Sequence, residues 1–402
     1  MASDASPSYN LLCVMVSLCV SVAFVFPFSC NGGAESYFFI LGDSLFDAGN
    51  NQYISSYSYI PGYHLPYGKT YFPLHPTGRY SDGRLAPDFI ASKLNLPFMP
   101  PILKPGANFT HGANFASAGA AATLNVTNAA RKIFLCLSDD FWETGPTVQG
   151  VSSKLDERTW HRSEAKRRLG SAVYLISIGG NDYFRQSSSN SDDTIPEQQE
   201  YVDKVIETIF QDVQEIYNGG RKFMFQNVGP LGCVPMSKQM SDMSDEACVG
   251  LQITLAILHN NALVKKLRKL TSENSWPGFV FSVFDYFTAV GNRIKDPTTY
   301  GFKFGDVACC GVGSYRGLEC GSLTQSYELC FNPSEYMCTL MVPITLKLST
   351  LNWLTLCGLE DQRFFICPSP IYLNTRLKLK LKQNQRSGDL TIILSYRFHL
   401  NI

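Results

Sequence analysis

The 402-residue chain has no excess of charge of either sign, with 34 Lys and Arg against 34 Asp and Glu. Such a balance creates no field that would draw a polyanion, which argues against a nucleic-acid partner. The short basic run Lys166-Arg167-Arg168 reads as a solvated helix face. Histidine is scarce, six in all, and none stands at ligand spacing from a cysteine. Zinc, the rival reading of the cysteines, is therefore set aside. No internal repeat and no linker interrupts the chain, so length leaves one large domain or two. What is present is apolar: 45% hydrophobic and 13% aromatic residues can bury a large core, which excludes disorder.

An apolar run from Leu11 to Phe28 is followed by the small residues of Ser29-Cys30-Asn31-Gly32-Gly33-Ala34. This is the pattern of a signal peptide over residues 1–33 with its cleavage region. No Lys or Arg precedes the run and Asp4 is acidic, so the competing reading is an uncleaved membrane anchor; secretion is the reading adopted, with no membrane span after cleavage. Thirteen cysteines in a secretory chain point to disulfides. Removing those of the leader, Cys136 and the tail leaves an even set: Cys233, Cys248, Cys309, Cys310, Cys320 and Cys330, of open connectivity. Asn108-Phe-Thr110 and Asn125-Val-Thr127 are glycosylation acceptors.

Four short apolar runs have the length and composition of buried parallel strands: Tyr37–Leu41, Ala172–Ile178, Lys222–Val228 and Gly278–Phe284. A fifth, around Asn114, is weakly signalled. Helical patterns cover Ala86–Leu94, Gln199–Tyr217 and Cys248–Leu270. Strands alternating with helices predict a parallel sheet covered on both faces, with ligands at the carboxyl ends of its strands. The stretch from Asn51 to Pro105, rich in Tyr, Pro and Gly, is expected to run over the top of the sheet as a substrate wall.

The first strand runs into Gly42-Asp43-Ser44-Leu45-Phe46-Asp47-Ala48-Gly49-Asn50-Asn51. An isolated Gly-Asp-Ser is most simply a turn with a helix cap. With its neighbours, the block resembles the nucleophile motif of the plant GDSL lipases and esterases, within the SGNH hydrolases. Gly42 is expected to permit a tight strand-to-helix turn that lifts the Ser44 hydroxyl and aims its own N–H at a carbonyl. Gly112-Ala113-Asn114-Phe115-Ala116-Ser117-Ala118-Gly119 resembles the second family block, and Gly179-Gly180-Asn181-Asp182-Tyr183 the third. The resemblance implies that the Gly119 N–H and the Asn181 amide complete an oxyanion hole with the Ser44 N–H. Asn227 to Pro235, Ala308 to Gly311 and Tyr327 to Tyr336 continue the match, which spans about Ser36 to Tyr336 and is weak between Asn128 and Trp160. His259-Asn260 lies within a helical pattern and reads as a packed core pair.

The family's base and its orienting acid follow as Asp-x-x-His and Thr-Glu, and they are missing. None of His64, His75, His111, His161, His259 and His399 has an aspartate three residues before it. After Tyr336 the chain carries eight basic residues against Glu360, Asp361 and Asp389, and its Leu-Lys alternation at Leu377–Leu381 fits no family element. The genetic code offers a test. If each triplet from Leu340 to Lys347 is begun at the third base of the preceding codon, the series permits Asp, requires Gly, then permits Ser, His, Asn, Thr and Glu. Through Leu348–Thr355 the same frame permits the Asn, Gln, Leu and Ala of the family's closing helix. The chain is thus expected to leave its ancestral frame near Tyr336.

The resemblance implies a three-layer α/β/α fold of flavodoxin-like order over residues 34–336, followed by an aberrant tail over 337–402. It implies a carboxylic-ester hydrolase acting without a cofactor on a lipid or small-molecule ester. Without an imidazole to accept the Ser44 proton, turnover is expected to be impaired. The alternative is a catalytically inactive lipid- or ester-binding homologue. His399 is the one tail histidine that could substitute, and nothing around it resembles a positioned base.

Overall fold

The computed structural model describes residues 36–54, 59–72, 75–123, 162–189, 193–241, 248–338, 378–383 and 390–395. The leader, Asn125, Cys136, the weakly matching 131–150 stretch, His161, His399 and the shifted-frame segment lie outside the described residues.

Chain order runs β1 (Phe38–Gly42), α1 (Ala86–Lys93), β2 (Gly112–Asn114), α2 (Arg162–Ser171), β3 (Val173–Ser177), α3 (Gly180–Ser189), α4 (Ile195–Tyr217), β4 (Lys222–Gln226), α5 (Pro235–Met240), α6 (Gly250–Ser272), β5 (Val280–Phe284) and α7 (Tyr286–Lys295). Strands β1 to β5 form one parallel sheet in the order β2-β1-β3-β4-β5, the flavodoxin-like arrangement. All four predicted runs and the weak fifth are strands of this sheet. β1 and β3 are buried along their full length, which requires cover on both faces. On one face Phe39, Tyr174, Phe223 and Phe225 pack under Val202, Val205 and Ile209 of α4 and under Leu255 and Leu263 of α6. The alternate residues Phe38, Ile40, Leu175 and Met224 are equally buried, on the other side.

Helix α4 begins four residues earlier than its apolar pattern suggests. Thr194 and Glu197 form a capping box there, with the Thr194 N–H donating to the Glu197 carboxylate at 2.7 Å. The basic run falls on α2, where Arg168 is only half exposed and lies over the Tyr37 ring at 5.2 Å from its centroid. This corrects the expectation of a wholly solvated face, since the guanidinium's apolar plane covers an aromatic edge of the core.

Beyond the sheet, β6 (Phe304–Ala308) pairs in parallel with β9 (Tyr336–Cys338), and β7 (Cys310–Gly311) pairs with β8 (Glu328–Leu329). The Leu-Lys alternation of the tail is one strand of an antiparallel pair, β10 (Lys378–Gln383) with β11 (Leu390–Ser395). All six cysteines of the even set are bonded, as Cys233–Cys248, Cys309–Cys330 and Cys310–Cys320.

Candidate active site

At the carboxyl end of β1 the chain turns once, with the Phe46 and Asp47 N–H groups donating to the Asp43 carbonyl at 3.1 and 3.0 Å. The expected strand-to-helix turn is not formed. Gly49, at φ +120°, ends the turn before an α-helix can propagate, and a short 3-10 helix, Asn50–Tyr53, follows. Gly42 is needed for close approach: a Cβ there would lie 2.6 Å from the Ser177 carbonyl oxygen of β3. Ser44 is half-buried and makes no hydrogen bond to any described residue.

The loop after β2 carries Gly119 in the left-handed region, at φ +85°, where a side chain would strain the backbone. Its neighbours are pinned from both sides. Asp47 accepts the Ala118 N–H at 2.9 Å, together with the N–H groups of Gly49 and Asn50 at 2.7 Å each. Asn50 donates to the carbonyls of Asn114 and Ala116, and Asn51 donates to that of Ala118 while accepting from the Ser117 hydroxyl. From the third block, Asp182 accepts the Ala122 and Thr123 N–H groups at 2.8 Å each. The Asn181 amide donates to the Ala120 carbonyl at 2.8 Å. An amide nitrogen carries two N–H donors, so this bond orients Asn181 and leaves the second free for a ligand.

These three turns line one cavity of about 420 Å³ that holds Ser44, Gly119 and Asn181 together. Its remaining wall is mostly apolar and includes Tyr59, Pro61, Tyr67 and Tyr80 from the predicted wall segment, with Leu231 and Met236 opposite in sequence. Among the lining residues the one charged side chain is Asp43, and none is a histidine. His259 is buried in the core as the sequence suggests. Its Nδ1 lies 2.6 Å from the Tyr183 hydroxyl, burial pushes its pKa down to about 3, and a Cβ on Gly179 would lie 2.9 Å from its ring. The Asn260 side chain bonds both the N–H and the carbonyl of Val228.

Burial raises the Asp43 carboxyl to about 7, with Asp182 and Asp47 adding repulsion and the Leu45 N–H opposing it. Burial likewise raises Asp47 to about 6, against the three N–H groups it accepts. A carboxyl whose folded pKa lies above its unfolded value favours folding while protonated, and that contribution is lost as pH rises through the folded value. Asp43→Asn removes the buried charge. The variant is expected to melt higher relative to the parent at pH 8 than at pH 4.5, the difference growing through about pH 7; a difference independent of pH would contradict the assignment.

Sequence reading missed the pinning roles of Asp47, Asn50, Asn51 and Asp182, and the buried ion pair of Arg79 with Asp88, in which two nitrogens of the guanidinium bond both carboxylate oxygens at 2.9 and 2.8 Å. The available signal was the crowding of Asp47, Asn50 and Asn51 at the end of a buried strand, where polar side chains require partners.

Residues 38–333 match the sequence profile of the family described as GDSL-like Lipase/Acylhydrolase. The chain belongs to this family. It is 40% identical over 313 residues to GDSL esterase/lipase 1 of Arabidopsis thaliana, covering 75% of this chain and 80% of that one. It is also 40% identical to GDSL esterase/lipase 5 of the same plant, over 74% of this chain and 76% of that protein. Inactive GDSL esterase/lipase-like protein 25, again of Arabidopsis thaliana, is 36% identical over 74% of this chain and 65% of its own length. A GDSL-family chain is an ester hydrolase by family, and the cavity described above lies at the strand ends where such a fold binds its ligand.

Proposed function

We propose that this GDSL-family chain is a secreted carboxylic-ester hydrolase whose nucleophile is Ser44 and whose turnover is impaired because the Asp-x-x-His block is absent. The observation that carries this reading is the convergence of Ser44, Gly119 and Asn181, from three separate strand ends, on one apolar cavity. In the intact mechanism an imidazole takes the Ser44 proton and the oxygen attacks the ester carbonyl. The oxyanion is received by the Ser44 N–H, the Gly119 N–H and the free Asn181 N–H. The alcohol leaves, and water resolves the acyl-enzyme. Residues 1–33 serve as signal peptide, and the three disulfides and the exposed Asn108, whose carbonyl oxygen accepts the Thr110 hydroxyl at 2.6 Å, suit an oxidising, glycosylating route.

Among the described residues the proton has no acceptor of that kind. Among these residues the Ser44 hydroxyl has no hydrogen-bond partner and no histidine lines the cavity. That observation favours a second reading, an inactive homologue that retains ester binding. Hydrolysis of p-nitrophenyl butyrate separates the two. A slow rate above buffer that Ser44→Ala lowers supports the hydrolase. A parent rate equal to buffer supports the binding protein.

A further inference from the structure

Most polar side-chain groups facing the cavity are already engaged. Asn51 bonds Ala118 and Ser117, Ser177 accepts from Gln226, and Asn227 bridges Asp285 and the Phe287 N–H. The Tyr59 hydroxyl donates to the Gly321 carbonyl. Tyr67 differs. It lines the same cavity and is only 1% exposed, yet its hydroxyl makes no hydrogen bond to any described residue.

Its ring is held firmly. It packs against the bonded Cys310 and Cys320, and meets the Tyr80 ring edge-on at 5.9 Å between centroids. Burial, with the neighbouring phenols Tyr80, Tyr59 and Tyr327, pushes its pKa above the usual tyrosine range, so it stays a neutral donor. The hydroxyl oxygen itself opens on the cavity, so this rigid donor without a protein partner is completed by water or by a ligand bound there. In a wall that is mostly apolar, such a donor distinguishes ligands by where they place an oxygen.

We infer that Tyr67 is a specificity-determining residue, its hydroxyl donating to an acceptor oxygen on the apolar arm of the ester, so that oxygen-bearing chains are preferred over plain alkyl chains. The inference rests on the cavity being the ester site proposed above.

The test is a set of ethyl octanoate analogues in which one chain methylene at a time is replaced by an ether oxygen. Binding to the full chain is read by displacement of a fluorescent apolar dye. One oxygen position is expected to bind roughly tenfold tighter than ethyl octanoate, about the worth of one net hydrogen bond to a buried group. In Tyr67→Phe that gain, taken relative to ethyl octanoate bound by the same variant, is expected to vanish, with the melting temperature retained. A flat scan in the parent, a gain that survives Tyr67→Phe, or no displacement by any analogue would overturn the inference. Residual hydrolysis of p-nitrophenyl butyrate reports on the hydrolase reading separately. A rate above buffer that Ser44→Ala lowers, with a flat scan, sinks only the Tyr67 assignment, and a parent rate equal to buffer with an intact oxygen preference sinks only the hydrolase.

Discussion

Replacing the residues after Tyr336 by the translation of the shifted frame is expected to raise kcat/KM toward p-nitrophenyl butyrate by roughly 10⁴-fold or more. The size follows from what a triad loses when one member is removed: catalysis falls to the residual supplied by the oxyanion hole and by binding. Here the residues proposed for that residual machinery are already in place. Gly119 is set in its left-handed conformation, Asn181 is oriented by Ala120, and the cavity is walled. What the shifted frame adds is an imidazole on a chain segment that follows β9, with an aspartate three residues before it. The gain should appear mainly in kcat, because proton acceptance is a transition-state interaction. It should be abolished again by exchanging the restored histidine for alanine. Equal rates for parent and restored chain would mean that Ser44 is not the nucleophile of this fold.

Asp47→Ala is expected to destabilise the protein by about 3 kcal/mol or more, since each buried N–H left without an acceptor costs about 1–3 kcal/mol. Three lose theirs: Gly49, Asn50 and Ala118. The melting temperature should fall by roughly 6–12 °C or more, taking about 2–4 °C per kcal/mol for a domain of this order. Ala118 precedes Gly119, so the loss also frees the loop that presents the proposed oxyanion donor, and kcat of the chain carrying the shifted-frame segment should fall. Asp47→Asn keeps a carbonyl oxygen for part of the set and should fall between the two. A melt unchanged in Asp47→Ala would show that water or neighbouring groups replace the carboxylate.

The central strands were legible because a parallel strand buried on both faces must be apolar throughout, as in Phe38–Gly42 and Val173–Ser177. Helices with a strong apolar face, such as Ile195–Tyr217, were legible for the same reason of burial. Gly180–Ser189 carries little helical signal in the sequence, because it opens on Gly180-Asn181 and ends in three serines, and it buries only Asp182 and Tyr183 of its side chains. Helix α7 was unread because its first turn relies on a local cap, the Asp285 carboxylate accepting the Thr288 N–H at 3.1 Å. At the site, Ser44, Gly119 and Asn181 were identified through resemblance. The residues that hold them were not, because their partners are remote: Asp47 reaches Ala118 across 71 positions and Asp182 reaches Ala122 across 60. Tyr67 was hidden in a segment read only as a wall, since an unpartnered hydroxyl is a property of packing.

On the reading proposed above, this site is built for ester chemistry and has been separated from its base by a change of frame near Tyr336. Sequencing the transcript across codons 336–355 tests it most directly. The account predicts that the shifted frame reads Asp-Gly-x-His-x-Thr-Glu. A shifted frame without that histidine would contradict it.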